Sequence, residues 1–298
     1  MIKLLALLHI ILLTSCSNAS LECSPMLWKI EGKGLHNTSY IFGTFHTKDK
    51  SINMLPLVVV SSLQKVQRFY GEIQMTKRDI QLIARYTKLS SPLALHKRLK
   101  PKTISSISKY LKDISSSIKI KNLSIFKTWA ISFILSNQEE QMTYPNRLFM
   151  DEKLANIAKR ANIKQGGLET AVEQLLYFEK LTQKEQELLI ILSIKQATDL
   201  KYKTALTKWY KRGEAKGFFE IQKKFRPQNI QLKKLEQILT YGLLTERNSR
   251  FVRRMDILLQ NKVQHSYFFA IGAGHLAGED GILAQLRLKG YKINRVHK

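Results

Sequence analysis

Two histidines carry the first chemical signal in this chain. Each stands three positions after a glycine that closes an apolar, β-prone run: Gly43 and His46 in SYIFGTFHTKDK, Gly272 and His275 in SYFFAIGAGHLAG. The carboxyl ends of strands flanked by helices are where ligands sit, because side chains there escape the packed layer. Glycine lets the backbone turn sharply and lets another group come close. Two imidazoles brought to one sheet edge make good ligands for Zn, Mn or Co, and a carboxylate could complete the set.

Three carboxylates are candidates for that set. Glu72 ends FYGEI, where an alternating strand has no other reason to carry an acid, and Glu169 ends a strand in QGGLETAVEQ in the same way. The plainer reading of each is an acid that favours a helix dipole. Asp151 in LFMDEKLANIAKR could equally be an N-cap. In TERNSRFVRRMDILLQ, Glu246, Arg247 and Asn248 open a helix whose core face is expected to carry Phe251, Met255, Ile257 and Leu258. Arg247 could neutralise an oxyanion or hold a carboxylate in two-point contact; a surface ion pair with Glu246 is the plain alternative. The other histidines are weaker: His36 lies in a turn, His96 and His297 are surface residues, and His265 precedes its strand and should face solvent.

The elements that must position these residues are legible in outline. LWKIEG and SYIFGTFH read as strands around the turn-prone GKGLHNT, LPLVVVSSLQKVQ as a helix, and RFYGEIQM as a further strand. From Thr76 to about Asn162 the apolar spacing is helical, broken at LSSPLALHKRLKP and MTYPNRL. IKQGGLE is a strand, and AVEQLLYFEKLTQKEQELLIILSIKQ reads as one long amphipathic helix. Helices continue to Gln260 with breaks near Gly213 and Pro227. SYFFAIGAGH and YKINRV are strands around the helix GILAQLRLKG. Strands at each end are too few to bury two faces alone, so the ends should pair in one sheet. The expected fold is α/β, with α+β possible: a sheet of N- and C-terminal strands with a large central helical insertion over about 76–245.

With 298 residues, the chain can bury a substantial core. Its 49 Lys and Arg against 23 Asp and Glu give a net charge of +26. These cations are spread along the helical middle without a zinc finger, RNP-type or helix-turn-helix signature, so a solvated lysine-rich surface is expected rather than a nucleic-acid partner. Attraction to an anionic membrane surface is an intermediate possibility. MIKLLALLHIILLTSC has the basic start and short apolar stretch of a secretory signal peptide. Its Leu13-Thr14-Ser15-Cys16 ending resembles a bacterial lipobox, with an ordinary cleavage near Ala19 as the alternative. The expected organisation is a signal peptide at 1–15, a lipidated tether at 16–26 and a single domain at 27–298. Cys16 would carry the acyl chains that tie the protein to a membrane. Ser17 follows it, which favours the outer membrane, facing the periplasm, in a Gram-negative host. The second cysteine, Cys23, then has no disulfide partner.

The order LWKI, SYIFGTFH, GEI, MDEKL, GLETAVEQL, ERNSRF, AIGAGHLAGEDGILAQLRLKGYKI resembles the TraB/GumN family, which is related to the Tiki metalloproteases. The likeness runs from about residue 27 to the end, and its closing GAGHLxGxxG followed by LxxxGY is the most specific part. It implies that His46, His275, Glu72, Arg247 and Asn248 correspond to the family's active site, with Asp151 and Glu169 in its central motifs. Animal Tiki members are metal-dependent proteases that trim a secreted signalling protein, whereas most bacterial members have no defined substrate.

The resemblance implies metal-assisted peptide hydrolysis: an ion on His46 and His275, Glu72 as ligand or general base, Arg247 at the oxyanion and Asn248 orienting substrate or ligand. Spacing leaves base and ligand unassigned among the carboxylates. Two other classes stand beside it, a lipoprotein that sequesters a peptide pheromone without cutting it and a structural envelope protein whose basic face binds anionic lipid or polymer.

Overall fold

The computed structural model describes residues 25–297, so the signal segment, Cys16 and Cys23 lie outside the described residues. Six strands, β1 (Leu27–Gly32), β2 (Ser39–Thr44), β3 (Arg68–Ile73), β4 (Lys164–Glu169), β5 (Tyr267–Gly272) and β6 (Tyr291–Arg295), form one sheet in the order β4-β3-β5-β2-β1-β6. β1 is antiparallel to both β2 and β6, whereas β2, β5, β3 and β4 run parallel. The fold is α/β, and strands from the two chain ends do meet in one sheet. β5 lies between β2 and β3, and β4 enters from the middle of the chain as an edge strand.

The helices are α1 (Leu57–Gln64), α2 (Lys77–Tyr86), α3 (Pro101–Asp113), α4 (Thr128–Thr143), α5 (Met150–Arg160), α6 (Ala171–Glu179), α7 (Gln183–Thr198), α8 (Leu200–Arg212), α9 (Gly217–Lys224), α10 (Ile230–Thr240), α11 (Glu246–Leu259) and α12 (Ile282–Leu288). The main core joins the sheet to apolar faces of α1, α5, α8, α11 and α12, with Phe42, Phe268 and Phe269 at its centre. Two smaller clusters hold the helical region together, one around Ile107, Tyr110 and Ile131, the other around Trp129, Phe178 and Leu235. Among the described residues no helix is long and apolar enough to cross a membrane.

Two helical expectations are corrected and a third is refined. The stretch expected to be one helix from Ala171 onward is two, because Thr182 caps α7: its hydroxyl accepts from the Glu185 N–H while the Glu185 carboxylate accepts from the Thr182 N–H. Glu246 opens α11 as expected, but α11 follows directly on α10 through a π-helical turn, Tyr241–Thr245. The core face of α11 is Phe251, Val252, Met255 and Leu259, at i, i+1, i+4 and i+8, whereas Ile257 is 66% exposed and Leu258 only half-buried.

The other end of α11 is latched to the sheet. Asp256 accepts from Lys33 Nζ and the Tyr291 hydroxyl, both at 2.7 Å, and from Lys289 Nζ at 3.0 Å. Burial alone would raise its pKa, but these hydrogen bonds outweigh it and hold the carboxyl at about 2, below the usual 3.8. A depressed carboxyl contributes stability above its unfolded pKa and loses it as pH falls through the folded one. Asp256→Asn is therefore expected to cost about 2 kcal/mol at pH 7, with the deficit closing by about pH 2. Urea denaturation across that pH range checks it.

Candidate active site

The parallel register brings four strand ends to one edge. Thr44 at the end of β2 pairs with Gly272 at the end of β5, Gly71 of β3 pairs with Ala270 of β5, and Ile73 of β3 pairs with Glu169 at the end of β4. His46, Glu72, Glu169 and His275 all belong to this edge. Gly43 is required by close approach: a Cβ there would meet Leu276 Cδ1 at 2.8 Å, Met26 Cβ at 3.1 Å and Ala273 Cα at 3.3 Å. The first glycine thus makes room for the turn that carries the second histidine. Gly43→Ala is expected to cost about 1–3 kcal/mol through overpacking, read as a lowered denaturation midpoint.

Arg247 is buried at the centre, so the surface-pair alternative for it is corrected. Its Nε and Nη2 donate to Glu169 Oε1, Nη2 also donates to Glu72 Oε2, and Nη1 donates to Leu243 O at 3.2 Å and contacts His275 Nε2 at 3.1 Å. All five guanidinium N–H groups are therefore engaged. The π-helical turn before α11 supplies one of these acceptors, the Leu243 carbonyl. Glu169, with a fully buried side chain, also accepts from Arg250 Nη2 at 2.9 Å. Two carboxylates thus face two guanidiniums, and the buried network is balanced in charge.

The tautomer of His275 follows from its neighbours. Asn248 Nδ2 donates to Asp280 O at 2.8 Å, which turns Asn248 Oδ1 towards His275 Nδ1 at 2.6 Å. An amide oxygen only accepts, so the ring proton sits on Nδ1 and Nε2 keeps its lone pair. Burial first, then Arg247, pushes the His275 pKa down to about 4 against the pull of Glu72, leaving the ring neutral at pH 7. Glu72 Oε1 accepts from the Gly272 N–H at 2.7 Å and lies 3.8 Å from His275 Nε2. Burial opposes its ionisation, yet His275, Arg247 and the Gly272 N–H bring its pKa down to about 2. Because His275 is neutral at pH 7, Arg247 and the backbone N–H supply the attraction there.

His46 forms a second pair at the rim. Its Nδ1 is 3.6 Å from Asp151 Oδ2, its ring stacks on Phe149 at 3.9 Å, and its side chain is 61% exposed. Asp151 is not the cap of α5; Glu152 fills that role by accepting from the Phe149 N–H. His265 is tied to the opposite end of β5, half-buried, with Nε2 2.9 Å from Arg68 Nη2, rather than facing solvent. The helices α8 and α9 roof the edge: the Tyr210 hydroxyl donates to Gly43 O, Phe45 stacks on Tyr210, and Phe218 lies against Gly274. Sequence reasoning missed Arg250, Phe149 and Tyr210; only Arg250, one turn beyond Arg247 on the same helix face, had a usable spacing signal.

The chain matches the TraB/PrgY/gumN family over residues 26–295. It belongs to that family. This TraB family chain is also similar to Metalloprotease TIKI2 of Danio rerio, 36% identical over 66 residues, and to a Metalloprotease TIKI homolog of Amphimedon queenslandica, 35% identical over 65 residues. Each of those matches covers 22% of this chain and 13% of the relative. Metalloprotease TIKI1 of Danio rerio is 41% identical over 51 residues, 17% of this chain and 10% of the relative. No solved structure matches the TraB family chain.

Among the described residues no three His, Cys, Asp or Glu side chains gather into a group able to hold a metal ion. Two pairs form instead, His275 with Glu72 and His46 with Asp151. The first pair has the donor types of a metal site, an ionised carboxylate beside an unprotonated imidazole nitrogen whose other nitrogen is fixed by a hydrogen bond. A cation, the Arg247 guanidinium, sits on those same atoms.

Proposed function

We propose that this TraB family chain is a divalent-metal-dependent peptide hydrolase acting at the carboxyl edge of its sheet. The observation that carries the reading is the unprotonated Nε2 of His275 beside the ionised Glu72, with His46 leaving the neighbouring strand end. His275 and Glu72 would supply two donors to such an ion, and the metalloprotease relatives suggest that it is Mn, Co or Zn. The ion supplies Lewis acidity, lowering the pKa of a water towards neutrality.

The chain's own residues do the remaining work. Asn248 keeps the His275 proton on Nδ1, so Nε2 always faces the site as a donor of electrons. Asp151 stands beside His46 at the open rim, where a peptide enters, and accepts the proton that water loses on attack. Glu169 anchors Arg247 and Arg250, holding positive charge where the carbonyl oxygen becomes an oxyanion. The aromatic roof of Phe45, Trp209, Tyr210 and Phe218 limits water around the scissile bond. The relatives named as metalloproteases support the activity class, and Cys16, through its acyl chains, would place the enzyme on the periplasmic side of a bacterial envelope membrane.

A second reading, peptide sequestration without cleavage, draws on the charge balance of the buried network and on the full engagement of Arg247. Incubating the mature protein with a peptide library, with manganese or with a chelator, separates the two by mass spectrometry. Metal-dependent appearance of new peptide termini is expected. Peptides retained but uncut under both conditions would support sequestration and defeat the hydrolase.

A further inference from the structure

The helices that roof the candidate site also leave a groove between them. On α8, Lys201, Lys208 and Arg212 fall at i, i+7 and i+11, one stripe of the helix, and on α9 Ile221 and Lys224 share a face with Gly217. The two faces line a cavity of about 730 Å³. Its floor is apolar: Trp209 is only 3% exposed, and Ile221 and Phe225 are half-buried. The Trp209 indole is held in place, since Nε1 donates to Glu214 O and a Cβ on Gly217 would meet its Cδ1 at 2.6 Å.

The charges around that floor are unmatched. Lys201, Lys208, Arg212 and Lys224 line the groove against Glu214 and Glu220, and among the described residues none of the four cations is in an ion pair. The ion pairs of this region lie outside the groove, Lys203 with Glu139 and Arg226 with Glu236. Lys201 and Arg212 stand about 16 Å apart along the helix, too far for a single phosphate to meet both. Because the Trp209 ring is covered, it offers no open face on which a nucleic-acid base could stack. The groove also leads to the site: Trp209 sits edge-on to Phe45, ring centroids 6.3 Å apart, and His46 follows Phe45 in the chain.

We infer that the groove between α8 and α9 is a docking site for an acidic peptide segment, whose apolar side chains enter the cavity while its carboxylates meet the unpaired cations. A cavity of this size takes a few apolar side chains. About five extended residues, or three turns of an amphipathic helix, match the length of the cationic stripe on α8. Glu220 offsets Lys224 on α9, so the acids of the peptide belong on the α8 side. The inference deepens the peptide reading above by naming the class of peptide, and rests on it only for the course of the segment beyond the groove, towards His46 and Asp151. Docking itself uses neither the ion nor the groups at the strand ends.

The test is fluorescence anisotropy of a labelled peptide of leucine and glutamate, beside its glutamine and lysine versions, added to the purified protein with chelator present throughout. Lys208→Glu with Arg212→Glu alters the groove, and Lys102→Glu with Lys112→Glu makes the same change of net charge at exposed residues of α3. The glutamate peptide is expected to bind and the lysine peptide not. The groove variant should weaken binding about tenfold or more, since each reversal turns an attraction into a repulsion, whereas the α3 variant should stay within about twofold of wild type. Leu200→Gln, at a groove residue 71% exposed, changes no charge and should weaken binding about threefold through lost apolar contact; it decides the matter if the double groove variant does not fold. Equal weakening in the groove and α3 variants would mean attraction to net charge alone and overturns the inference, as does absence of binding to the glutamate peptide. Vesicles containing phosphatidylglycerol are the counter-probe: loss of vesicle binding in the groove variant with peptide binding unchanged makes the groove a lipid contact and overturns it too. Failure of docking leaves the metal-dependent hydrolase untouched, whereas a protein that docks the peptide yet cuts none with manganese keeps the inference and loses the hydrolase.

Discussion

His275→Ala is expected to lower metal-dependent peptide cleavage by at least about 10²-fold, the scale set by loss of a group that handles the reacting proton or its activator. His265→Ala, ten positions earlier at the opposite end of β5, should leave cleavage unchanged. The two histidines flank one strand, so the comparison isolates position from residue type. His275 is only 4% exposed, and its removal leaves Asn248 Oδ1 and an Arg247 N–H buried without partners. The variant should therefore also lose about 1–3 kcal/mol of stability. That cost exceeds what a residue beyond a strand end suggests from sequence. Cleavage assays at matched folded fraction, set by circular dichroism, separate the two losses. Full activity in the folded fraction of His275→Ala would reduce the Gly-x-x-His turn to architecture.

Glu169→Ala is expected to produce the largest loss of stability in the site, about 3–5 kcal/mol, because it strands a buried charge rather than deleting a pair. The carboxylate has no exposed surface and accepts from Arg247 and Arg250. Glu173, one turn into the next helix, provides the control. It pairs with Arg254, but the two side chains are 32% and 34% exposed, so solvent screens them and Glu173→Ala should cost about 1 kcal/mol or less. Urea denaturation of the two variants checks the contrast. Equal costs would mean that the network around Arg247 is no more demanding than a surface pair.

Much of the fold was readable because it obeys local rules. The apolar runs that end in Gly43 and Gly272 are strands, and the helical spacing between them is helical in the structure. The strand order was not readable: β5 lies between β2 and β3, and its neighbours are about two hundred positions away in sequence. The split between α6 and α7 was present as Thr182 and Glu185 at capping-box spacing, but the continuous apolar pattern masked it. In the candidate site, the carboxylates and histidines were found by type and place. The burial of Arg247 was not, because its partners Glu72 and Glu169 lie 175 and 78 positions away and nothing local distinguishes it from Arg253. Asp151 looked like a cap because acids at helix starts usually are; Glu152 filled that role and left Asp151 free for His46.

Anomalous diffraction from crystals of the protein grown with manganese tests the central claim most directly. One peak in contact with His275 Nε2 and Glu72 is the predicted result. Data of the same quality with no peak at this edge would contradict it.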